Sequence, residues 1–255
     1  MKIVFIGAGN VATHLSLAMQ KAGHSIIQIY SRSKNSASAL ANQLNTDWTT
    51  KLDDVSKDGD IYIFSLKDDA LQSIISRISS NESIWIHTSG SIPMDIFRSY
   101  SDKYGVLYPL QTFSKTRKID FSQIPCFIEA NTKATETILY NMAKQLSVNV
   151  QILDSAKRKY LHLAAVFACN FTNHMYALAS KILENEAIPR EVLLPLTDET
   201  ASKIHILPPS EAQTGPAIRY DQSIINKHLD LLTTPEMKEI YQLISKNIHK
   251  ESTDE

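Results

Sequence analysis

Six residues near the start of the chain leave little freedom in how it folds: Gly7-Ala8-Gly9-Asn10-Val11-Ala12. They follow an apolar run at residues 2–6 and open directly into an amphipathic stretch at 11–22. Two glycines one residue apart allow a turn too tight for a side chain, and small Ala12 lets a helix lie close on the strand before it. The alternation continues beyond the turn. Its spacing predicts strands at 25–30, 61–65 and 83–87 and helices at 36–44 and 69–79. Short apolar strands alternating with amphipathic helices define βαβ units, hence a parallel sheet with right-handed crossovers.

Further strands are predicted at 105–108, 126–129 and 149–153, with helices near 94–101 and 134–146, giving about seven strands in all. After Asp154 the pattern changes. A long apolar helix is predicted at 160–183, then helical segments at 190–206, 216–232 and 235–247, with no strand and a polar, frayed tail at 250–255. The expected fold class is α/β: a Rossmann-type, doubly wound, mostly parallel sheet over 1–153, followed by an all-helical domain over 154–255.

With 255 residues, 43% of them hydrophobic, the chain can bury a sizeable core. A formal net charge of −1 supplies no field to hold a polyanion, which disfavours nucleic acid and anionic membrane as partners and leaves a small molecule. The two cysteines, Cys126 and Cys169, lie in apolar runs without metal or redox spacing, so both are expected to be buried thiols. No metal is expected. The run at 3–6 is too short for a signal peptide core and no stretch reaches the length of a membrane span, so a cytoplasmic location is expected.

The turn has a chemical reading of its own. The pattern GxGxxA between a strand and a helix is a dinucleotide-binding fingerprint: Gly7 makes the turn and Gly9 lets the backbone approach a pyrophosphate. Asn10, Val11 and Ala12 then open the helix whose free N–H groups face the phosphates. About twenty residues further on, an NAD site usually presents an acid to the ribose. This chain has Tyr30-Ser31-Arg32-Ser33 there, with Asp47 the sole acid between Ser25 and Trp48. The Arg32 guanidinium, flanked by the hydroxyls of Ser31 and Ser33, suits a 2′-phosphate, so the expected cofactor is NADP.

The runs GAGNVATHL, IYSRS, HTSGS at 87–91, YPLQTFS at 108–114 and TGPAIRYD at 214–221 together resemble an uncharacterised bacterial family. That family joins a Rossmann-like domain to a C-terminal helical domain of unknown function, and the resemblance spans nearly the whole chain. Its wider kin are pyrroline-5-carboxylate reductase, the deazaflavin-dependent NADP reductases and the β-hydroxyacid dehydrogenases. The resemblance implies NADP(H), a hydride-transfer site between domains and a homodimer formed through the helical half. It supplies no substrate.

Ligands of a doubly wound sheet lie off the carboxyl ends of its strands, where Ser65, Leu66, His87 and Ser89 fall. Ser65 and Leu66 are candidate cofactor contacts, Ser89 a substrate contact and His87 a proton donor. On the long helix Lys159, His162, Val166, Asn170 and Asn173 share an arc of roughly 80° at about 100° per residue. β-Hydroxyacid dehydrogenases place a catalytic Lys, and an Asn one turn later, on the corresponding helix, which makes Lys159 a candidate acid. An Asn one turn after Lys159 would fall at Leu163, and anchoring on Asn170 instead puts Val166 at the Lys position, so His162 stands as an equal candidate. Asn170 and Asn173 are candidate substrate contacts. In TGPAIRYD, Thr214 reads as a helix N-cap and candidate ligand contact, and Arg219 as an anchor for a substrate anion.

Two functions fit these residues. One is an NADP(H)-dependent oxidoreductase reducing a small carbonyl or imine compound by hydride transfer. The other is an NADP-binding regulatory or ligand-sensing protein without turnover.

Overall fold

The computed structural model describes residues 1–79 and 82–253. Eight strands form one sheet in the order β3-β2-β1-β4-β5-β6-β7-β8. Here β1 is Lys2–Ile6, β2 Ser25–Tyr30, β3 Asp47–Thr49, β4 Ile61–Phe64, β5 Ile84–His87, β6 Tyr104–Pro109, β7 Cys126–Ala130 and β8 Val150–Ile152. Every neighbouring pair is parallel except β6 with β7. Seven of the eight follow from the apolar runs. The eighth, β3, is three residues long, too short for periodicity to register.

Alternation along β1 separates two cores. Ile3 and Phe5 join one apolar cluster with α1 (Asn10–Lys21), α2 (Lys34–Leu44) and α4 (Lys133–Leu146). Val4 and Ile6 join the other with α3 (Asp68–Ile75), Trp85 and Phe97. The side-chain period of 2 thus buries β1 on both faces, as a central parallel strand requires. Hydroxyls fix the starts of two of these helices. Ser33 caps α2 by accepting from the Ser36 amide at 3.3 Å, and Thr132 caps α4 by accepting from Thr135. The helix expected at 94–101 is a single 3₁₀ turn, Met94–Phe97, whose Phe97 is buried against Phe64 and Trp85.

The long helix expected at 160–183 is three pieces: α5 (Ser155–Ala165), a π turn at Val166–Phe171, and α6 (Thr172–Asn185). The wider turn shifts the helical phase, so the uniform advance that put Lys159, His162, Asn170 and Asn173 on one arc does not hold across it. Its apolar residues are also not buried within this chain: Phe167 and Phe171 are exposed, as is Cys169. Cys126 is buried, and burial pushes its thiol up to about 12.

The chain divides into two compact units, Met1–Cys169 and Asn170–Glu255. Helix α5 therefore groups with the sheet, whereas the pattern break at Asp154 marks the end of the last strand. Its attachment is ionic. Arg158, 1% exposed, donates to the Glu129 carboxylate of β7 at 2.6 Å and to the Ile92 carbonyl at 2.5 Å. Ser155 donates from its hydroxyl to the same carboxylate at 2.5 Å.

In the second unit α6 is followed by α7 (Leu194–Lys203), α8 (Pro209–Ala212), α9 (Gln222–Leu231) and α10 (Pro235–Thr253). The segment expected to begin a helix at 216 is a turn instead, with Gly215 at φ 104° and Tyr220 at φ 49°. The cap of α9 is Asp221, which accepts from the Ile224 amide, rather than Thr214. The tail read as frayed is helical through Thr253, and residues 254–255 lie outside the described residues. No helix among the described residues is long and apolar enough to cross a membrane.

Candidate functional site

The strand order changes direction between β1 and β4, and at such a switch point the loops part to leave a crevice off the carboxyl ends of the strands. A cavity of about 690 Å³ occupies that position, and every residue lining it belongs to the first unit.

The turn after β1 forms its floor. Gly7 has φ 126°, and a Cβ on it would stand 2.1 Å from the Ser65 carbonyl oxygen, so both the dihedral and the close approach to β4 demand glycine. In front of Gly9 the space is open for 4 Å, and no side chain caps α1. Gly9, Asn10 and Val11 therefore line the cavity at an uncapped helix N-terminus, the arrangement whose free N–H groups donate to phosphate oxygens. Ala12 lies beneath, fully buried against the sheet.

Ser31 and Arg32, at the end of β2, line one end of the cavity together with Ser36. Among the described residues no carboxylate pairs with the exposed Arg32 guanidinium. Ser33 departs from the expected cradle: its hydroxyl is committed to the α2 cap, its amide donates to Ser31 Oγ at 3.3 Å, and it does not line the cavity. Asp47 lies on β3, also outside the lining. Lys67 and Lys115 add cationic groups against a single lining carboxylate, Asp68, so the walls favour a multiply anionic ligand. Turn, open helix end and cations together fit a dinucleotide carrying an extra phosphate.

Ser65 and Leu66 line the cavity beyond the turn, with Thr88 donating to Ser65 Oγ at 3.2 Å. Ser89 also lines it, but its hydroxyl already accepts from the amides of Ser91 and Ile92. At this end Tyr108, from β6, and His162, from α5, meet: Tyr108 Oη lies 2.9 Å from His162 Nδ1, with the rings edge to face. Gly90 makes room for them, since a Cβ there would stand 2.6 Å from His162 Cγ and Nδ1. Burial pushes the Tyr108 phenol up to about 12, against the opposing charge of Arg158. His162 lies one helical turn beyond Arg158, so the buried ionic anchor of α5 also fixes the imidazole.

Of the three expected proton donors, only His162 reaches the cavity. His87 is fully buried, stacks obliquely on Phe97 and accepts from the Ser89 amide at Nδ1. Burial, reinforced by the charge of Arg158, lowers its pKa to about 3, which keeps it neutral. Lys159 points away: its ammonium lies over the Tyr160 ring at 5.2 Å, and it does not line the cavity. Asn170, Asn173, Thr214 and Arg219 belong to the second unit, where all four are exposed. Sequence reasoning missed Tyr108, Gln111 and Lys115, although the first two lie within the YPLQTFS run and Tyr108 ends a strand beside a proline. Among the described residues no group of three His, Cys, Asp or Glu side chains could hold a metal ion.

The fold defines a Rossmann-type domain carried with a helical second unit. Residues 2–89 match the family model for coenzyme F420-dependent NADP oxidoreductases, and residues 124–248 match a domain of unknown function, DUF2520. A Bacteroides fragilis protein provisionally named an NADP oxidoreductase is 48% identical, with 98% of each chain covered and a TM-score of 0.92. The chain belongs to this family, in which a Rossmann-like domain of the F420-dependent NADP oxidoreductase type precedes a DUF2520 domain. A Thermotoga maritima protein shares the fold at 20% identity and TM-score 0.71, covering 99% of this chain and 98% of its own. So does an imine reductase from Myxococcus stipitatus in complex with NADP⁺, at 16% identity and TM-score 0.63, covering 100% and 93%. No curated protein sequence matches the chain.

Proposed function

We propose that the protein is an NADP(H)-dependent oxidoreductase that reduces a small carbonyl or imine compound. The observation that carries this reading is one cavity holding both the glycine turn with Arg32 and, at its other end, the Tyr108–His162 pair. The 48% identity to a protein named as an NADP oxidoreductase supports the choice of coenzyme.

Gly7, Gly9, Asn10 and Val11 would hold the pyrophosphate, Ser31 and Arg32 the 2′-phosphate, and Ser65, Leu66 and Thr88 the far half of the dinucleotide. Bound there, NADPH supplies the hydride. The chain itself supplies the proton. Tyr108, buried and therefore protonated at working pH, donates from Oη to the substrate nitrogen or oxygen as that atom gains charge. His162, as the imidazolium, returns a proton from Nδ1 to the phenolate at 2.9 Å and is left as the neutral imidazole, which regains its proton from solvent, so no charged phenolate persists in an apolar wall. Ser89 and Gln111, which line the same cavity, would orient a small polar substrate.

We infer also that the protein is a homodimer formed through the helical unit. Its apolar side chains support this: Leu196 is 63% and Ile206 84% exposed within the chain.

Mixing the protein with NADPH and a panel of 2-ketoacids and cyclic imines tests the reaction. Oxidation of NADPH by at least one compound is expected; tight binding with no oxidation across the panel would favour a nucleotide-sensing protein instead.

A further inference from the structure

Between β6 and β7 the chain does not return directly to the sheet but folds back over the first turn of α1. The backbone of this loop is tied down at consecutive positions. Asn10 donates from its side-chain amide to the Phe113 carbonyl at 2.9 Å, and His14 Nε2 donates to the Ser114 carbonyl at 2.9 Å. The His14 and Phe113 rings stack with centroids 5.3 Å apart. The next residue is Lys115, whose ammonium donates to the Ala8 carbonyl at 2.7 Å. Ala8 stands between the two glycines of the phosphate turn.

An ammonium has three donors, and this one spends one of them on a neutral carbonyl. Among the described residues no carboxylate lies within ion-pair distance of it. Lys115 lines the same cavity as Gly9, Asn10 and Val11, and three contacts to α1 hold the loop that carries it. A glycine turn supplies only partial charges to a pyrophosphate. Lys115 supplies a full one, delivered from a loop more than 90 residues away in sequence.

We propose that Lys115 is the pyrophosphate counter-charge of the coenzyme site, with residues 110–118 acting as a strap that holds it over the glycine turn. This rests on the coenzyme reading above, and it divides labour between two cations. Arg32, at the end of β2, recognises the 2′-phosphate that NADPH alone carries, whereas Lys115 recognises the pyrophosphate that NADPH and NADH share.

Calorimetric titration of the intact protein with NADPH and with NADH, for wild type, Lys115→Met and Arg32→Ala, tests the division. Lys115→Met is expected to weaken both nucleotides by the same factor, about 10- to 100-fold for a charge-assisted contact, and to lessen the salt dependence of binding. Arg32→Ala is expected to weaken NADPH alone, and Lys115→Arg to retain most of the affinity. Lys115 is exposed, so unchanged circular dichroism should accompany its loss. Unaltered affinity for both nucleotides in Lys115→Met would overturn the proposal, as would a loss confined to NADPH. Failure of the wild-type protein to bind either nucleotide would instead overturn the coenzyme reading itself.

Discussion

His162 and Tyr108 lie 54 positions apart and meet because Gly90 has no side chain. That contact makes three sharp expectations. Tyr108→Phe and His162→Gln should each lower kcat by about 10²- to 10⁴-fold while leaving NADPH affinity unchanged, since removing a general acid touches the chemical step alone. Gly90→Ala should do the same without removing either group, because its Cβ would displace the imidazole. Unchanged kcat in Tyr108→Phe would rule the pair out as the proton source. His87 makes a different expectation, about stability. Its pKa drops from 6.5 in the unfolded chain to about 3 in the folded one. Between those values the unfolded state binds the extra proton, so this group's contribution is complete above pH 6.5 and is lost as pH falls, by up to about 1.4 kcal/mol per unit. Denaturant unfolding at pH 7 and pH 5 should show a smaller loss in His87→Phe than in wild type; equal losses would show that His87 does not carry it.

Helix α5 is held by a buried charge, with Leu161 packed against the small apolar cluster of Val106, Tyr108 and Phe127. Arg158→Ala leaves the Glu129 carboxylate without its ion-pair partner and is expected to cost about 3–5 kcal/mol in an unfolding titration, with a loss under 1 kcal/mol contradicting a structural role. At this scale the sequence was legible where periodicity and caps agree. β1 and β2 match their expected bounds, and α2 and α4 end where predicted, at Leu44 and Leu146. It was not legible where one residue breaks a period. The π turn at Val166–Phe171 leaves no compositional mark, yet it undoes the arc on which Asn170 and Asn173 were expected beside His162. The dinucleotide turn could be read because its glycines are local. Tyr108 could not, because its partner comes from α5 and its importance lies in a contact between distant elements.

For the whole molecule, exposure is the outstanding feature. The helical unit buries few apolar side chains within the chain, Ala217 and Ile225 among them, and leaves Val192, Leu194, Leu196, Ile204 and Ile206 exposed. A second copy is the proposed cover, so light scattering is expected to give twice the chain mass at micromolar concentration, and the double change Leu196→Asp, Ile206→Asp is expected to halve it. A monomeric wild-type protein would remove the dimer from the account.

The central claim is that the cavity off β1 and β4 holds NADP(H), chosen through Arg32. Titration of the wild-type protein with NADPH and NADH under identical salt tests it most directly. NADPH is expected to bind at least several-fold more tightly, with Arg32→Ala abolishing that preference. Equal affinity for the two nucleotides, or a preference that survives Arg32→Ala, would contradict it.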